Sequence, residues 1–87
     1  MTDALALLQR QFLERCRSDL AALEALASEP LHPEVVRLVH RLAGTAGSFG
    51  YSEISEAAAR YETAAGDAKR EPFVDLLGRL RTLAQTF

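Results

Sequence analysis

The chain has 87 residues, enough for one domain spanning 1–87 and too few for two. Hydrophobic residues make up 48% and the net charge is -2 with both signs interspersed, so a core can form, while a basic nucleic-acid stripe and a long acidic disordered arm are excluded. The single cysteine, Cys16, excludes an internal disulfide and C-x-x-C metal or redox motifs, and no apolar run approaches a membrane span, so a soluble protein of the reducing cytoplasm is expected.

Met1-Thr2-Asp3 opens on a polar, acidic note unlike a signal peptide, and with four helices to follow it reads as the start of a complete protein. The first helix is expected over about Thr2 to Ala27. Leu5, Leu8, Phe12, Cys16, Leu20, Leu23 and Ala27 recur every three or four residues there, and Thr2 or Asp3 can cap the start. Arg10, Glu14, Arg15, Arg17 and Glu24 decorate the outer face. Cys16 reads as a small apolar core residue, because nothing nearby in sequence favours its thiolate. Ser28-Glu29-Pro30-Leu31-His32-Pro33 breaks the helix. Pro33 suits the first position of the next one, and His32 reads as a cap or loop residue.

The second helix is expected over Pro33 to Ser48, followed by a turn at Phe49-Gly50-Tyr51. Ser52 is the expected cap of the third helix, with Glu53 and Glu56 favouring its positive end. Ile54, Ala57, Ala58, Tyr61, Ala64 and Ala65 form its apolar side, and Gly66-Asp67 ends it. The fourth helix is expected from near Pro72, with Phe73, Leu76, Leu77, Leu80, Leu83, Ala84 and Phe87 at helical spacing. No segment alternates apolar and polar residues, so no strand is expected. Four amphipathic helices with short connections predict an all-α fold, an antiparallel four-helix bundle running up-down-up-down.

Side chains on a helix turn by about 100° per residue. Val35, Leu38, Val39, Leu42, Ala46 and Phe49 therefore share one stripe, and His40 points nearly opposite to it. Its neighbours one turn away are Val36, Arg37, Ala43 and Gly44, with Gly47 a turn further on. A glycine inside a helix costs roughly 0.8–1.0 kcal/mol relative to alanine. A helix end accounts for Gly47, but Gly44 lies too far inside. Two readings stand on spacing alone: a surface histidine beside a frayed helix end, or a histidine that another molecule's surface must approach.

Other chemistry finds little support. There is no G-x-x-x-x-G-K loop and no G-x-G-x-x-G after a strand. His32 and His40 straddle a break and make poor joint metal ligands, and the acidic residues follow no calcium-loop spacing, so no metal site is expected. One outward-facing imidazole remains as the plausible nucleophile.

The run His40-Arg41-Leu42-Ala43-Gly44-Thr45-Ala46-Gly47-Ser48-Phe49-Gly50, followed by Ile54 and Tyr61-Glu62, resembles the signature of histidine-containing phosphotransfer (HPt) domains. That signature is histidine, any residue, leucine, usually lysine, glycine, any residue, alanine, glycine, two more residues and glycine. The four-helix layout extends the match to nearly the whole chain. The resemblance implies that His40 takes a phosphoryl group from a receiver-domain aspartate, or from a sensor or hybrid histidine kinase, and passes it to another receiver's aspartate. It implies a monomeric covalent carrier of two-component signalling rather than an enzyme, with no ATP site and no cofactor of its own. Mg²⁺ would belong to the partner receiver.

Residue roles follow position by position. Gly44 and Gly47 match the motif glycines that leave room beside the histidine, and with Val36 and Ala43 they form the implied receiver-docking patch. Glu62, 22 residues after His40, matches the residue that in some HPt domains hydrogen-bonds the imidazole, leaving Nε2 as nucleophile. Its other reading is a solvated helix face. Ala43 departs from the usual lysine, and Arg37 or Arg41 are the candidates to supply its charge toward phosphate. The rival reading is an HPt-like interaction module that docks a receiver or kinase without carrying phosphate. A third, the dimerisation and phosphoacceptor region of a histidine kinase, is disfavoured because His40 lacks the acidic residue and proline that usually follow there.

Overall fold

A computed structural model describes residues 3–86. Helix α1 spans Ala4–Ala25, α2 Pro33–Ser48, α3 Ser52–Thr63 and α4 Arg70–Ala84, with a single 3₁₀ turn at Gly66–Lys69 before α4. Among the described residues there is no strand. Thr2 and Phe87, offered above as a cap and a core residue, lie outside them.

The helix starts follow from their caps. The Asp3 carboxylate accepts the backbone N–H groups of Leu5 and Ala6 at 3.0 and 3.3 Å. His32 caps α2 in the same way: its Nδ1 accepts the Glu34 N–H at 3.0 Å, and Pro33 occupies the first helical position. The end of α2 is a Schellman turn. The Tyr51 N–H returns to the Ala46 carbonyl at 2.9 Å and the Gly50 N–H to Gly47 at 3.2 Å. Gly50 sits at φ 86°, left-handed backbone that an L side chain resists. The Phe12 ring stacks with both Phe49 and Tyr51, at centroid separations of 5.1 and 5.5 Å, and this pins the turn to α1.

Five expectations are corrected. Helix α1 stops at Ala25, and Ala27 is exposed beyond it. Leu5 and Leu8 are not core: they are 57% and 49% exposed. At about 1.5 Å per residue the 22-residue α1 outruns the 16-residue α2 and the 15-residue α4, so its first turns have little to pack against. Ser52 is the first residue of α3 rather than its cap. Tyr51 holds the cap position and makes no side-chain cap bond, because the Schellman turn and the stacking on Phe12 already fix it there. Ala64 and Ala65 fall past the end of α3, and α4 begins two residues before Pro72, which takes a first-turn position whose N–H needs no helical partner.

One core joins all four helices. Phe12, Cys16, Leu20 and Leu23 of α1 meet Val35, Leu38, Val39, Leu42 and Ala46 of α2. Ile54, Ala57, Ala58 and Tyr61 of α3 and Phe73, Leu76, Leu77 and Leu80 of α4 complete it. Helix α2 packs on α3, α3 on α4 and α4 on α1, and α1 touches α2 most lightly. Ala57 and Ala58, both fully buried, let α3 approach its neighbours closely. Ion pairs lace the outside, Arg60 to Asp75 at 3.1 Å between α3 and α4 and Arg81 to Glu24 at 3.3 Å between α4 and α1. The lightly packed α1–α2 seam holds the one buried acidic residue of the described chain, Asp19, whose Oδ1 accepts Arg41 at 2.6 Å.

Candidate functional site

The buried stripe of α2 sets where His40 goes. Val39 and Leu42 are fully or almost fully buried, so His40 is turned outward, and its side chain is 79% exposed. The same logic operates on α3. Tyr61 is fully buried and donates its hydroxyl to the Pro30 carbonyl at 2.5 Å. Glu62, the next residue, is rotated out toward α2. The two helices thus bring Glu62 Oε2 to 2.6 Å from His40 Nδ1.

That contact fixes the chemistry of the ring. An ionised carboxylate only accepts, so the contact with Glu62 suits the tautomer that carries its proton on Nδ1. In the neutral ring the remaining lone pair is on Nε2, which faces solvent. The arrangement is a histidine oriented by its neighbour and presenting one nucleophilic nitrogen.

The space around His40 is open on its C-terminal side. A Cβ placed on Gly44 would meet nothing within 4 Å. The chain's own packing therefore does not require a glycine there. Gly47 differs: a Cβ would come to 3.4 Å from Ser55 Oγ of α3. That is ordinary contact, so the packing of α2 on α3 does not require a glycine there either; Ser55 itself ties the two helices by donating to the Ala43 carbonyl at 2.8 Å. Ala43 is half-buried against the core, while Val36, one turn before His40, is 44% exposed.

The two arginines are committed to carboxylates of this chain. Arg37 is paired with Glu34 one turn back along α2, and this guanidinium holds the Glu34 carboxyl below the usual carboxylate range. Arg41 reaches across to Asp19 on α1. Of the residues singled out in the sequence, the structure joins His40 to Glu62 and places Gly44 beside open space. It turns Arg37 and Arg41 toward partners away from the imidazole.

Three residues around the site escaped the sequence reading. Asp19 falls on the apolar stripe of α1 between Cys16 and Leu20, and a charge inside a buried stripe is a readable signal of a cross-helix partner. Ser55 carried no signal, because its role depends on how α3 crosses α2. Lys69 stands just after Gly66, where a cation past a helix end suits the last carbonyls.

Among the described residues no cluster of three or more His, Cys, Asp or Glu could hold a metal ion. No helix of the described residues is long and apolar enough to cross a membrane.

The described residues thus form an all-helical bundle that holds one histidine, paired through Nδ1, out to solvent. The Hpt domain family model matches residues 7–87, and the chain belongs to that family. No curated protein and no solved structure gives a significant match.

Proposed function

We propose that this chain is a histidine phosphotransfer carrier of a two-component phosphorelay, with His40 Nε2 as the phosphoryl acceptor. The observation that carries the reading is the 2.6 Å contact between Glu62 and Nδ1 on a ring that is otherwise exposed. In the transfer step the Nε2 lone pair attacks the phosphorus of an aspartyl phosphate on a receiver. The N–P bond forms as the P–O bond to the aspartate breaks, and the aspartate leaves as carboxylate. The imidazole ring becomes cationic, and its Nδ1 proton stays on the hydrogen bond to Glu62, whose charge stabilises it. The reverse sequence hands the group to a second receiver.

The module supplies position and an oriented nucleophile; the partner receiver supplies Mg²⁺ and the acidic pocket. Val36, Ala43, Gly44 and Gly47 form the low, uncharged ground on which the receiver sits. Charge support from Arg37 or Arg41 requires each to leave its carboxylate, Glu34 or Asp19. We place the protein in the cytoplasm as a monomer of up-down-up-down topology, exchanging phosphate with receivers and a sensor or hybrid kinase. The short links between helices support the topology. The rival, a docking module that carries no phosphate, draws on Ala43 standing where the family usually has lysine.

Incubation with a phosphorylated receiver separates the two. The carrier acquires acid-labile, base-stable label, and His40→Gln abolishes it. A parent chain that binds the receiver yet never takes up label is the rival. Label that persists in His40→Gln removes the assignment of the site.

A further inference from the structure

Glu62 occupies a position where a carboxylate is poorly held. It lies in the last turn of the 12-residue α3, which ends at Thr63. Helix C-terminal carbonyls lack helical partners and make that end partially negative, so an anionic side chain there is disfavoured and the turn tends to fray. Helix α3 also lacks the glycine cap that α2 has. Its cap residue, Ala64, is in extended backbone at ψ 153°.

One side chain answers both problems. Gly66, at φ 54°, is in the left-handed region and turns the chain into the 3₁₀ turn Gly66–Lys69. Lys69 is thereby laid back over the end of α3. Its Nζ donates to the Tyr61 carbonyl at 2.7 Å and lies 3.4 Å from the Glu62 carbonyl. The same ammonium sits 4.4 Å from the Tyr61 ring centroid. Tyr61 is the fixed point of this end of the helix, fully buried, tilted against Phe73 at 6.2 Å and bonded to Pro30.

We infer that Lys69 is a positioning residue of the phosphoacceptor site: by capping α3 at Tyr61 and Glu62 it holds the Glu62 carboxylate on His40 Nδ1. The inference rests on the proposed function only in giving that contact a use; the coupling itself belongs to the unphosphorylated chain. Three elements then set the state of one imidazole. Helix α2 supplies the ring, α3 supplies its acceptor, and the turn before α4 supplies the cation that keeps the acceptor in place.

The test is the imidazole ¹H–¹⁵N spectrum of His40 in the full chain, compared among the parent, Glu62→Gln, Lys69→Met and Lys69→Arg. Core methyl resonances of Leu76 are recorded in the same samples to report the fold. The parent is expected to show one dominant tautomer with the proton on Nδ1. Lys69→Met is expected to lose that dominance and move toward the Glu62→Gln spectrum while the Leu76 methyls stay in place. Lys69→Arg, which keeps a cation over the carbonyls, is expected to retain the parent pattern. The inference is overturned if Lys69→Met keeps the parent tautomer pattern. It is equally overturned if the Leu76 methyls shift as far as the imidazole does, or if Lys69→Arg behaves like Lys69→Met. Receiver labelling separates the two claims. A chain that never takes label on His40 but shows the Lys69 dependence loses only the phosphotransfer reading. A chain that takes label with a Lys69-independent imidazole loses only this inference.

Discussion

At His40 one hydrogen bond decides which nitrogen is available. Glu62→Gln keeps the size of the acceptor and an oxygen on it, but replaces a charge-assisted bond with a neutral one. In the transfer step, where the ring becomes cationic, the charge-assisted bond exceeds the neutral one by roughly 1 kcal/mol, whereas in the resting surface pair the difference is small. Phosphoryl uptake by Glu62→Gln is therefore expected to slow roughly fivefold, read by rapid-quench labelling from a phosphorylated receiver. The melting midpoint should hold, because the Glu62–His40 pair is at the surface and such pairs add little to folding. Cys16 illustrates the opposite case, a nucleophile made inert by its surroundings. Burial first, and the charge of Asp19 second, push its thiol up to about 12. Iodoacetamide at about pH 8 should modify it in urea and leave the native protein unmodified, since only the thiolate reacts. Native modification at the rate of an exposed thiol would contradict the buried placement. The outward turn of His40 was legible from the phase of the α2 stripe, and Cys16 from the phase of α1. The engagement of Arg37 was also within reach, since Glu34 lies three residues away on the same helix. That of Arg41 was not, because its partner comes from another helix and only the packing of α1 on α2 brings it there.

Two glycines of the α2 region behave oppositely as parts of an element. Gly44 is in regular helix with open space where a Cβ would be, so Gly44→Ala should stabilise the fold by about 0.8–1.0 kcal/mol. Gly50 is at φ 86°, and Gly50→Ala should destabilise it by about 1–2 kcal/mol. Urea midpoints of the two variants check both signs. Gly44→Gln should fold at least as well as the parent yet block transfer, by filling the space a docked receiver needs. If it transfers at the parent rate, Gly44 does not provide that access. The helices themselves were readable from apolar spacing, and α2 was readable at both ends because Pro33 and Gly50 are strong local signals. The start of α1 was readable too, from the Asp3 cap, while the end of α1 and the ends of α3 and α4 were decided by their surroundings. Leu5 and Leu8 continue the apolar stripe of α1, but a stripe does not reveal that the neighbouring helices are shorter. Ser52 has the chemistry of a cap, but the turn that closes α2 places Tyr51 there instead. The 3₁₀ turn at Gly66–Lys69 is too short to carry a periodic signal, and so the role of Lys69 was hidden with it.

Across the whole molecule, the core depends on all four helices at once, while the ion pairs on the outside modulate stability with pH. The Arg79 guanidinium, and then that of Arg60, hold the Asp75 carboxyl below its ordinary value of 3.8. A carboxyl depressed in the folded state contributes stability above its unfolded value and loses it as pH falls through the folded one. Asp75→Asn should thus cost little at neutral pH, where the pair is partly exposed and screened, and should make the loss of stability below about pH 4 shallower. Urea midpoints of parent and variant from neutral pH down to about pH 2 read this directly; parallel curves would show that Asp75 is not paired in solution. The Glu62 contact is where α3 meets the imidazole proposed as phosphoacceptor, and it can be interrogated through the product of transfer. The most direct measurement is the isomer of phosphohistidine formed when the parent chain is phosphorylated by a receiver, read by ³¹P and ¹⁵N NMR of the intact protein. Phosphorus bonded to Nε2 of His40, with the proton retained on Nδ1, is the predicted result. Phosphorus on Nδ1, or on any residue other than His40, would contradict the account.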